Sequence, residues 1–493
     1  MRQTALSDWL AQELDRGGTH PLYRQLHRLL QHAILSKRMR AGSKMPSSRL
    51  LAMELNVARN TVTQVYEQLG LEGYVTSSKG RGTFVVDMSQ DEVLADEQVV
   101  SPTSSVVEHL QQLSLRGKEL LNGAGVFHRQ SGAFMPGVPD MSRFPAHVWN
   151  RLHAKHWRRI TPELLTYAPA GGLPALRHVL ADYLMSARSV RCTPEQIIIT
   201  TGTHQSIDLA VRMLTDVGDM IWTEDPCYWG IRSILKVSGL DLRAIPVDDE
   251  GLNPSAEDLT SPPKLILATP SHQYPLGMVM SLVRRRALLA YARLSGSWII
   301  EDDYDSEFRY GNQPLASLQG LDKNDQVLYV GSLSKTLFPG LRVGYLVVPP
   351  NLAAQFAVAS AELYREGQSI QQLILADFIE GGHMTSHIRR MRGLYAHRRD
   401  LLLEAVARRY GGDMKTVGGE AGLHLVLRLP DDVDDRSVAT AALQAGIVVR
   451  PLSGYFSSRT GAQRGLLIGY ACVPDNQIEP AFEKLATVID TFL

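Results

Sequence analysis

The sequence predicts a multidomain protein in which a small α+β unit precedes a much larger α/β unit. Three observations lead to this fold class. With 493 residues, the chain is longer than a single hydrophobic core normally organises. Residues 20–86 contain ten Lys and Arg but three Asp and Glu, although the whole chain has 51 of each. Beyond residue 131, short apolar runs alternate with helical stretches, which indicates helical crossovers in a mostly parallel sheet.

We place the first domain at residues 18–87, a linker at 88–130 and the second domain at 131–493. The linker is acidic at first and is then broken by Ser and Pro. It lacks the periodic apolar residues of a core element, although residues 106–121 are compatible with a short helix. We therefore expect a tether between two separately folded domains.

The composition excludes several classes of protein. Hydrophobic residues make up 44% of the chain and charged residues 21%, as in a soluble globular protein rather than a disordered or fibrous one. No stretch approaches the roughly 18 uninterrupted apolar residues of a membrane span, and the N-terminal segment lacks the apolar core of a signal peptide. Three scattered cysteines, Cys192, Cys227 and Cys472, are too few for a disulfide framework or a zinc site. We expect a cytosolic protein without a metal centre.

The first domain is predicted to contain three helices and a β-hairpin. Residues 21–34 form one helix with an apolar stripe, and after Pro46 either Ser47 or Ser48 caps a second. A third helix starts at Arg59 and has apolar residues at the spacing i, i+3, i+4, i+7, namely Val62, Val65, Tyr66 and Leu69. Two short strands then flank a turn at residues 79–82. Helix, helix-turn-helix and basic hairpin, in this order, predict a winged helix.

The polar side of the third helix and the hairpin turn are the predicted contact surface for a polyanion. Residues 20–86 carry a net charge of +7, so the remainder of the chain carries −7. These charges could merely solvate a small helical domain, but ten cations against three anions favour a nucleic-acid partner. Short polar residues near the start of the third helix suit base edges and phosphates in a major groove.

The motifs of this domain closely resemble the winged helix-turn-helix of GntR-type bacterial transcription regulators. The resemblance is carried by PLYRQL, MPSSRLLA, ARNTVTQVYEQL, GYV and GRGTFV. It implies binding to double-stranded operator DNA. The residues that would touch DNA are Ser48, Arg49, Arg59, Asn60, Thr61, Thr63, Lys79, Gly80 and Arg81.

The predicted strands of the second domain are residues 197–199, 220–222, 265–268, 298–300, 327–330 and 345–348. Ligands of such sheets lie where strands end and loops begin. The first strand runs into a Gly-containing turn that opens a helix, whose free N–H groups suit a phosphate. The second runs into a Pro-fixed turn followed by Tyr228. Taken alone, each feature is explained equally well by local geometry or packing.

Two further strand ends carry more specific chemistry. The run EDDYDSEFRY places several carboxylates around Tyr304, and buried carboxylates need a cation, a metal or a protonated ligand nitrogen beside them. The run GSLSKTLFPGLRVGY places Lys335 between hydroxyls, with Arg342 shortly after it. A lone Lys is usually a solvated surface charge. In this setting we interpret Lys335 as an amine held to form a Schiff base.

Together these motifs resemble the pyridoxal-phosphate site of fold-type I aminotransferases. The resemblance is carried by TYAPAGGLPALR, TTGTHQ, EDPCYWG, TPSHQYPLG, EDDYDSEFRY and SLSKTLFPGLRVGY. Joined to the GntR-like domain, they resemble the MocR/GabR family of pyridoxal-phosphate-dependent transcription regulators over essentially the whole chain. The implied fold is a winged helix-turn-helix followed by a large α/β domain of the fold-type I, aminotransferase class I/II-like kind.

The resemblance also implies a role for each site residue. Lys335 would hold pyridoxal 5′-phosphate (PLP) as an internal aldimine, while Asp302 would pair with the ring nitrogen. Tyr304 would hydrogen-bond the phenolate oxygen of the ring, and Tyr228 would stack on its face. The residues that would hold the phosphate are Gly202, Thr203, His204, Ser332 and Arg342. Tyr167 would reach the phosphate of the partner subunit, which implies a homodimer.

The sequence departs from the aminotransferase pattern at two positions. Tyr274 stands where many aminotransferases have Asn, so a usual hydrogen bond to the phenolate oxygen is absent and tuning for transamination is in doubt. Leu467 stands where we align the arginine that usually binds a substrate carboxylate. Arg450 and Arg464 are candidates for that role, with surface salt bridging as the ordinary alternative for either.

The predicted function is a PLP-dependent, DNA-binding transcription regulator that senses PLP, an amino compound or both through the aldimine at Lys335. The first alternative is a catalytically active aminotransferase that carries a DNA-binding domain. A second is a GntR-like repressor with a cofactor-free relic domain, which the presence of the cofactor residues disfavours. The effector stays open among γ-aminobutyrate, another amine or amino acid, and PLP itself. The operator half-sites could be direct or inverted repeats.

Overall fold

The computed structural model describes residues 3–17, 20–78, 80–87, 113–121, 132–311, 316–365, 367–458 and 460–493. They form two compact units, one within residues 1–112 and the other within 113–493. Most of the predicted linker lies outside the described residues, so the boundaries at 87 and 131 stay predictions. Among the residues described, none of the helices combines the length and apolar character that crossing a bilayer requires.

The first unit contains the three predicted helices and the hairpin. The elements are α2 (Leu22–Leu35), α3 (Ser48–Glu54), α4 (Arg59–Leu71), β1 (Val75–Ser78) and β2 (Gly82–Val85). Ser47 is the residue that caps α3, since its hydroxyl accepts a hydrogen bond from the Leu50 N–H at 3.2 Å. The four apolar residues predicted for the inner face of α4 are its buried residues. The antiparallel pairing of β1 and β2 confirms the wing.

A helix that the sequence analysis did not predict precedes these elements. This helix, α1 (Gln3–Glu13), places Leu6 and Leu10 in the core that α2, α3 and α4 form. The Ser7 hydroxyl donates a hydrogen bond to Glu54 at 2.5 Å, and the Arg38 guanidinium lies 5.2 Å from the centre of the Trp9 ring. The small winged helix is therefore thickened by an N-terminal helix, which adds apolar area to a core of limited size.

The second unit is built on an eight-stranded sheet. Its strands are β3 (Ile197–Thr200), β4 (Met220–Asp225), β5 (Asp241–Asp248), β6 (Gly251–Leu252), β7 (Leu265–Ala268), β8 (Trp298–Asp303), β9 (Val327–Ser332) and β10 (Gly344–Val347). Their order is β3-β10-β9-β8-β7-β4-β5-β6, with all pairs from β9 to β5 parallel. β10 is antiparallel to both of its neighbours, and β6 to β5. The prediction of a mostly parallel sheet is confirmed.

Helices cover both faces of this sheet. The helices described between residues 113 and 411 are α5 (Leu115–Leu121), α6 (Ala146–Trp157), α7 (Pro174–Arg188), α8 (Thr203–Leu214), α9 (Trp229–Val237), α10 (Ala256–Thr260), α11 (Leu282–Ser295), α12 (Leu318–Leu321), α13 (Ala353–Tyr364), α14 (Ser369–Glu380) and α15 (His383–Tyr410), of which α5 has no buried residue. Alternate residues of β10 belong to different cores: Tyr345 and Val347 pack with α7, α14 and α15, whereas Leu346 packs with α8, α9 and α13. Burial on both faces explains why the strands read as continuous apolar runs.

The C-terminal part forms a four-stranded antiparallel sheet of β11 (Thr416–Gly418), β12 (His424–Arg428), β13 (Arg450–Pro451) and β14 (Gly465–Gly469), packed with α16 (Asp435–Gln444) and α17 (Asp475–Ile489). Residues 133–135 are attached to this sheet: the Ala133 carbonyl accepts from Val448 N–H at 3.0 Å, and the Phe134 carbonyl from Gly469 N–H at 2.9 Å. Because residues 133–135 are held at this sheet, Gly137, which follows them, lies next to Lys335.

Candidate functional site

Strand direction brings the predicted cofactor residues to one edge of the large sheet. The parallel strands β4, β8 and β9 end at the same edge, so the residues at or just after their ends, Tyr228, Asp302, Tyr304 and Lys335, come to one edge of the sheet. β10 is antiparallel, and its first residue, Gly344, pairs with Ser332 on one side and Thr200 on the other. Arg342 and the start of α8 therefore come to the same edge.

Lys335 lies in the turn after β9 and is half-buried. Its Nζ donates a hydrogen bond to the Gly137 carbonyl at 2.6 Å. Burial lowers the pKa of Lys335, and the carboxylates of Asp305 and Asp302 oppose that shift. A buried Lys with a lowered pKa has a larger fraction of neutral, nucleophilic amine at neutral pH.

The carboxylates of Glu301, Asp302 and Asp303 differ in whether they have hydrogen-bond or ion-pair partners. Asp303 forms a buried ion pair with Arg188 at 2.6 Å and accepts a hydrogen bond from the Tyr329 hydroxyl at 2.6 Å. Glu301 accepts the N–H groups of Leu318 and Gln319, each at 2.9 Å, at the start of α12. These two acids support the strand and the helix that follows it.

Asp302 is the acid that remains for a ligand. It is buried, and within the described ranges its Oδ1 has no hydrogen-bond partner. Burial, followed by the nearby carboxylates of Asp303, Glu224 and Asp305, raises the pKa of Asp302 from 3.8 to about 8. Such a carboxyl group is satisfied by a protonated nitrogen placed beside it, which is what the pyridine ring of PLP offers. The donor set fits PLP.

Aromatic side chains line the cleft around Tyr274. Its ring makes edge-on contacts with Tyr228, Tyr304 and Tyr455, at centroid separations of 5.8, 5.4 and 5.4 Å. Its hydroxyl lies 3.4 Å from that of Tyr455. Burial raises the pKa of Tyr228 to about 12 and that of Tyr304 well above its ordinary value, so both phenols stay protonated.

The start of α8 and Arg342 form a site suited to an anion. Gly202, the N-terminal cap of this helix, has φ +127°, and a Cβ placed on it would lie 3.8 Å from Nη1 of Arg342. Thr203 and His204 follow in the first turn, and desolvation, followed by the Arg342 charge, lowers the pKa of His204. Ser332 is buried at the end of β9. Helix N–H groups beside a guanidinium match a phosphate.

The two candidate arginines for an effector carboxylate have different surroundings. Arg464 lies 3.8 Å from the buried carboxylate of Asp435, which gives it a structural partner. Arg450 pairs in β13 with Leu467 of β14, and Leu467 packs in the cluster that includes Tyr274 and Tyr455. Arg450 is therefore next to the position where the usual arginine is missing, and its Nη2 lies 3.7 Å from the sulfur of Met135.

Tyr167 is 73% exposed in the single chain. It follows a short 3-10 helix, Pro162–Leu165, on the surface of the second unit. Its role across a subunit boundary stays a prediction.

The predicted DNA-contact residues lie at helix starts and on the wing. Arg49, Arg59 and Asn60 are exposed, while Ser48, Thr61 and Thr63 are half-buried. The Thr63 hydroxyl donates a hydrogen bond to the Arg59 backbone carbonyl at 3.1 Å. The Arg59 side chain is the long cationic group at the start of α4. In the wing, Gly80 has φ +81°, Arg81 is exposed, and Arg81 N–H closes the turn on the Ser78 carbonyl at 3.0 Å. Lys79 lies outside the described residues.

Two residues of the cleft were not predicted as site residues. His272 Nδ1 lies 2.8 Å from Oδ1 of Asp305 and 2.8 Å from the Tyr304 hydroxyl. Both occur in motifs that the sequence analysis quoted, TPSHQYPLG and EDDYDSEFRY. Nothing in the sequence indicates that these two loops meet, because the contact depends on β7 and β8 being neighbours.

Comparisons with known proteins agree with this architecture. Residues 22–85 match the family model of bacterial regulatory proteins of the gntR family, and residues 140–485 match that of aminotransferase class I and II. A solved aminotransferase with a similar fold is the Pyrococcus horikoshii kynurenine aminotransferase, with a TM-score of 0.68 and 25% identity, covering 78% of this chain and 96% of that chain.

Similar regulators extend over both units. The probable rhizopine catabolism regulatory protein MocR of Rhizobium meliloti is 38% identical, covering 96% of this chain and 94% of its own length. The pyridoxine biosynthesis transcriptional regulator PdxR of Corynebacterium glutamicum is 33% identical, covering 95% of each chain. This chain therefore belongs to the MocR family of DNA-binding transcription regulators, in which a GntR-type winged helix-turn-helix is joined to an aminotransferase-like domain.

Proposed function

We propose that this regulator binds PLP at Lys335 and responds to PLP, to an amino compound or to both. The observation that carries the proposal is a pair of groups at one sheet edge: the amine of half-buried Lys335, and the buried Oδ1 of Asp302, which has no hydrogen-bond partner among the described residues. Two similar aminotransferases support it: one was solved with PMP and another with N-(5′-phosphopyridoxyl)-L-leucine.

PLP, when bound, supplies an aldehyde that captures primary amines and a ring that accepts electron density. Lys335 provides the resident amine, and its lowered pKa favours the neutral form. Asp302 would accept a hydrogen bond from the protonated ring nitrogen, while Arg342 and the first N–H groups of α8 would bind the phosphate. Tyr228 would cover a face of the ring.

An amino compound that competes with Lys335 for the aldehyde would release this side chain from the cofactor. The released amine and the bound effector favour a different arrangement of the surrounding loops. An effector shifts such an equilibrium only by its differential affinity for the two arrangements, for which about 1–3 kcal/mol is typical. In this proposal the second domain binds an effector rather than turning it over, and effector binding changes the affinity of the protein for DNA.

The surroundings of Arg450 support an effector that carries a carboxylate as well as an amine. Arg450 lies beside Met135, and the carbonyl of Gly137, two residues further along the chain, accepts a hydrogen bond from Lys335. An amino acid or a short ω-amino acid has an amine that could replace that of Lys335 and a carboxylate that a guanidinium could bind. PLP itself remains the alternative effector, as the name of the relative PdxR suggests.

Arg450→Gln is expected to weaken the binding of amines that carry a carboxylate, but not of amines that lack one. Loss of a charge-assisted hydrogen bond, about 1.5–3 kcal/mol, corresponds to roughly a 10–100-fold higher half-saturation concentration for γ-aminobutyrate. n-Butylamine, which lacks the carboxylate, should bind the variant and the unaltered protein equally. The measurement is a titration of the bound-coenzyme absorbance together with operator affinity. Arg464→Gln is the matched control, and an equal loss in both variants would contradict the assignment.

We further propose that the protein acts as a homodimer with two DNA-binding heads. Tyr167 is exposed in the single chain, and we propose that it reaches a second subunit. Two heads require two half-sites in the operator, direct or inverted. Chromosomal DNA as the partner places the regulator in the compartment that holds the chromosome, which in bacteria is the cytoplasm.

Arg59→Ala is expected to weaken operator binding by about 1–3 kcal/mol and to relax the base preference at one position of each half-site. Its exposed guanidinium at the start of α4 can reach a base edge. Lys79→Ala should instead lower the salt dependence of binding, since it is expected to contact phosphate. Quantitative gel shifts at several salt concentrations distinguish the two. Unchanged binding in both variants would place the recognition surface elsewhere.

The second candidate function is a working aminotransferase with a DNA-binding domain. The intact set of Lys335, Asp302 and Tyr304 at one edge favours it, as does the similarity of the fold to aminotransferases. Steady-state assays with a panel of amino donors and keto acids separate the functions. Multiple turnovers faster than about 1 s⁻¹, within the usual range of enzymes, would establish the enzyme.

A further inference from the structure

Two buried residues, Asp305 and His272, and half-buried Tyr304 form a group near the amine of Lys335. Asp305 and His272 are 2% and 3% exposed, and the His272 Nδ1 atom lies 2.8 Å from both Asp305 Oδ1 and the Tyr304 hydroxyl. Tyr304 follows β8 directly, whereas His272 comes from the loop after β7. The two strands are parallel neighbours, so their C-terminal loops hold the three groups together.

The hydrogen bonds of this group have one consistent arrangement when Asp305 is ionised. A carboxylate only accepts, so the proton on Nδ1 must be donated towards Asp305. The same Nδ1–H then faces the oxygen of Tyr304, which can accept but cannot donate to it. The hydroxyl hydrogen of Tyr304 is therefore directed away from His272 and is free to be donated to another acceptor in the cleft.

Packing keeps His272 and Asp305 in this position. Gly422 has φ +76°, and a Cβ placed on it would lie 2.2 Å from Cε1 of His272 and 2.5 Å from Oδ2 of Asp305. The charged and titratable groups around this cluster include Asp302, Glu224, Tyr274, His424 and Lys335. His424 donates from Nε2 to the Pro275 carbonyl at 3.0 Å, and burial lowers its pKa to about 4, so it stays neutral at neutral pH.

We infer that Asp305 and His272 are positioning residues that orient the Tyr304 hydroxyl as a hydrogen-bond donor to the phenolate oxygen of bound PLP. The inference rests on the proposed PLP site. The inference also bears on Tyr274, which stands where many aminotransferases have an Asn that donates a hydrogen bond to the phenolate oxygen. In this chain the donor would be Tyr304, and the His272–Asp305 pair would orient its hydroxyl. In this way the pair controls how strongly the coenzyme retains its proton.

The sign of the effect follows from competition for one oxygen. A donor to the phenolate oxygen competes with the proton that the coenzyme shares between this oxygen and the nitrogen of its Lys335 linkage. Loss of the donor leaves the oxygen a better acceptor for that proton. The apparent pKa of the bound coenzyme therefore rises when Tyr304 is removed or misdirected.

The test is a pH titration of the bound-coenzyme absorbance in the full-length protein reconstituted with PLP. Tyr304→Phe and His272→Asn should each raise the apparent pKa of the coenzyme, by about one unit or more for Tyr304→Phe, a tenfold change in proton affinity. His272 is changed rather than Asp305, because loss of the Asp305 charge would itself lower the pKa at Lys335. In the double variant, His272→Asn should add nothing further, because the pair acts through Tyr304. Asp258→Asn, a change at a buried Asp that pairs with Arg243 instead, is the control and should leave the titration unchanged.

Other outcomes decide against the inference. An unchanged pKa in His272→Asn, or an additive shift in the double variant, would overturn it, because His272 would then be structural or act on the coenzyme directly. If His272→Asn does not fold, His272→Gln carries the same expectations. Failure of the unaltered protein to develop any coenzyme absorbance would instead overturn the proposed PLP site on which the inference rests.

Discussion

Replacing Asp302 with Asn is expected to stabilise the cofactor-free protein while weakening its binding of PLP. The pKa of Asp302 is raised from 3.8 to about 8, so the folded protein retains a proton that the unfolded chain loses. The free energy of unfolding contributed by this group therefore falls as the pH rises from about 4 to about 8. At pH 8 we expect the free energy of unfolding of Asp302→Asn to exceed that of the unaltered protein by about 1–4 kcal/mol. The substitution removes the cost of a buried charge but adds the smaller cost of a buried, unpaired amide.

Urea unfolding of the full chain at pH 5 and pH 8, with and without PLP, measures this effect. The gain should be larger at pH 8 than at pH 5, and PLP should stabilise the unaltered protein more than the variant, since Asn cannot neutralise a protonated ring nitrogen. A variant that is less stable than the unaltered cofactor-free protein at pH 8 would contradict the description of Asp302 as a strained, unpartnered acid.

Replacing Arg188 with Met is expected to destabilise the larger unit by about 3–5 kcal/mol, because it leaves the buried carboxylate of Asp303 without its cation. Arg188 and Asp303 are 3% and 2% exposed in their side chains, and Arg188 also donates to the Ser271 hydroxyl at 2.9 Å. The loss is measured by urea unfolding at neutral pH. Asp303 directly follows Asp302, so PLP binding should weaken as well.

Two comparisons test the cause of that loss. Arg212→Ala, which removes an exposed partner of Asp208 on α8, should change the free energy of unfolding by less than about 0.5 kcal/mol. The double change of Arg188→Met with Asp303→Asn should be less destabilising than Arg188→Met alone, because no charge is then left buried. A small effect of Arg188→Met would show that the ion pair is not needed.

Sequence patterns predicted the elements whose burial is periodic or complete. The four apolar positions of α4 and the continuous runs of β7 and β9 are recognisable because one face, or both faces, of each element is buried. β5 was not predicted because, as a strand near the sheet edge, it begins with exposed Asp241 and has Ile245 as its one buried residue, so it gives no apolar run. The N-terminal helix α1 was missed although Leu6 and Leu10 have helical spacing, since so short a segment gives few repeats.

The sequence also located the loops of the site but could not assign partners within them. EDDYDSEFRY marks a site of carboxylates, yet Asp302 is distinguished from Asp303 only because Arg188, far away in the chain, pairs with the latter. The contact of Lys335 with Gly137 and the register of Arg450 opposite Leu467 depend on tertiary structure in the same way. Residue type predicts the chemistry, whereas the three-dimensional neighbours decide which group is available.

The central claim is that one amine, that of Lys335, holds PLP in this regulator. The direct measurement is borohydride reduction of the protein incubated with PLP, followed by peptide mass spectrometry. We expect the reduced coenzyme on the peptide that contains Lys335 and none on Lys335→Ala, together with the loss of the coenzyme absorbance in that variant. Coenzyme fixed equally in both proteins, or in neither, would contradict the claim.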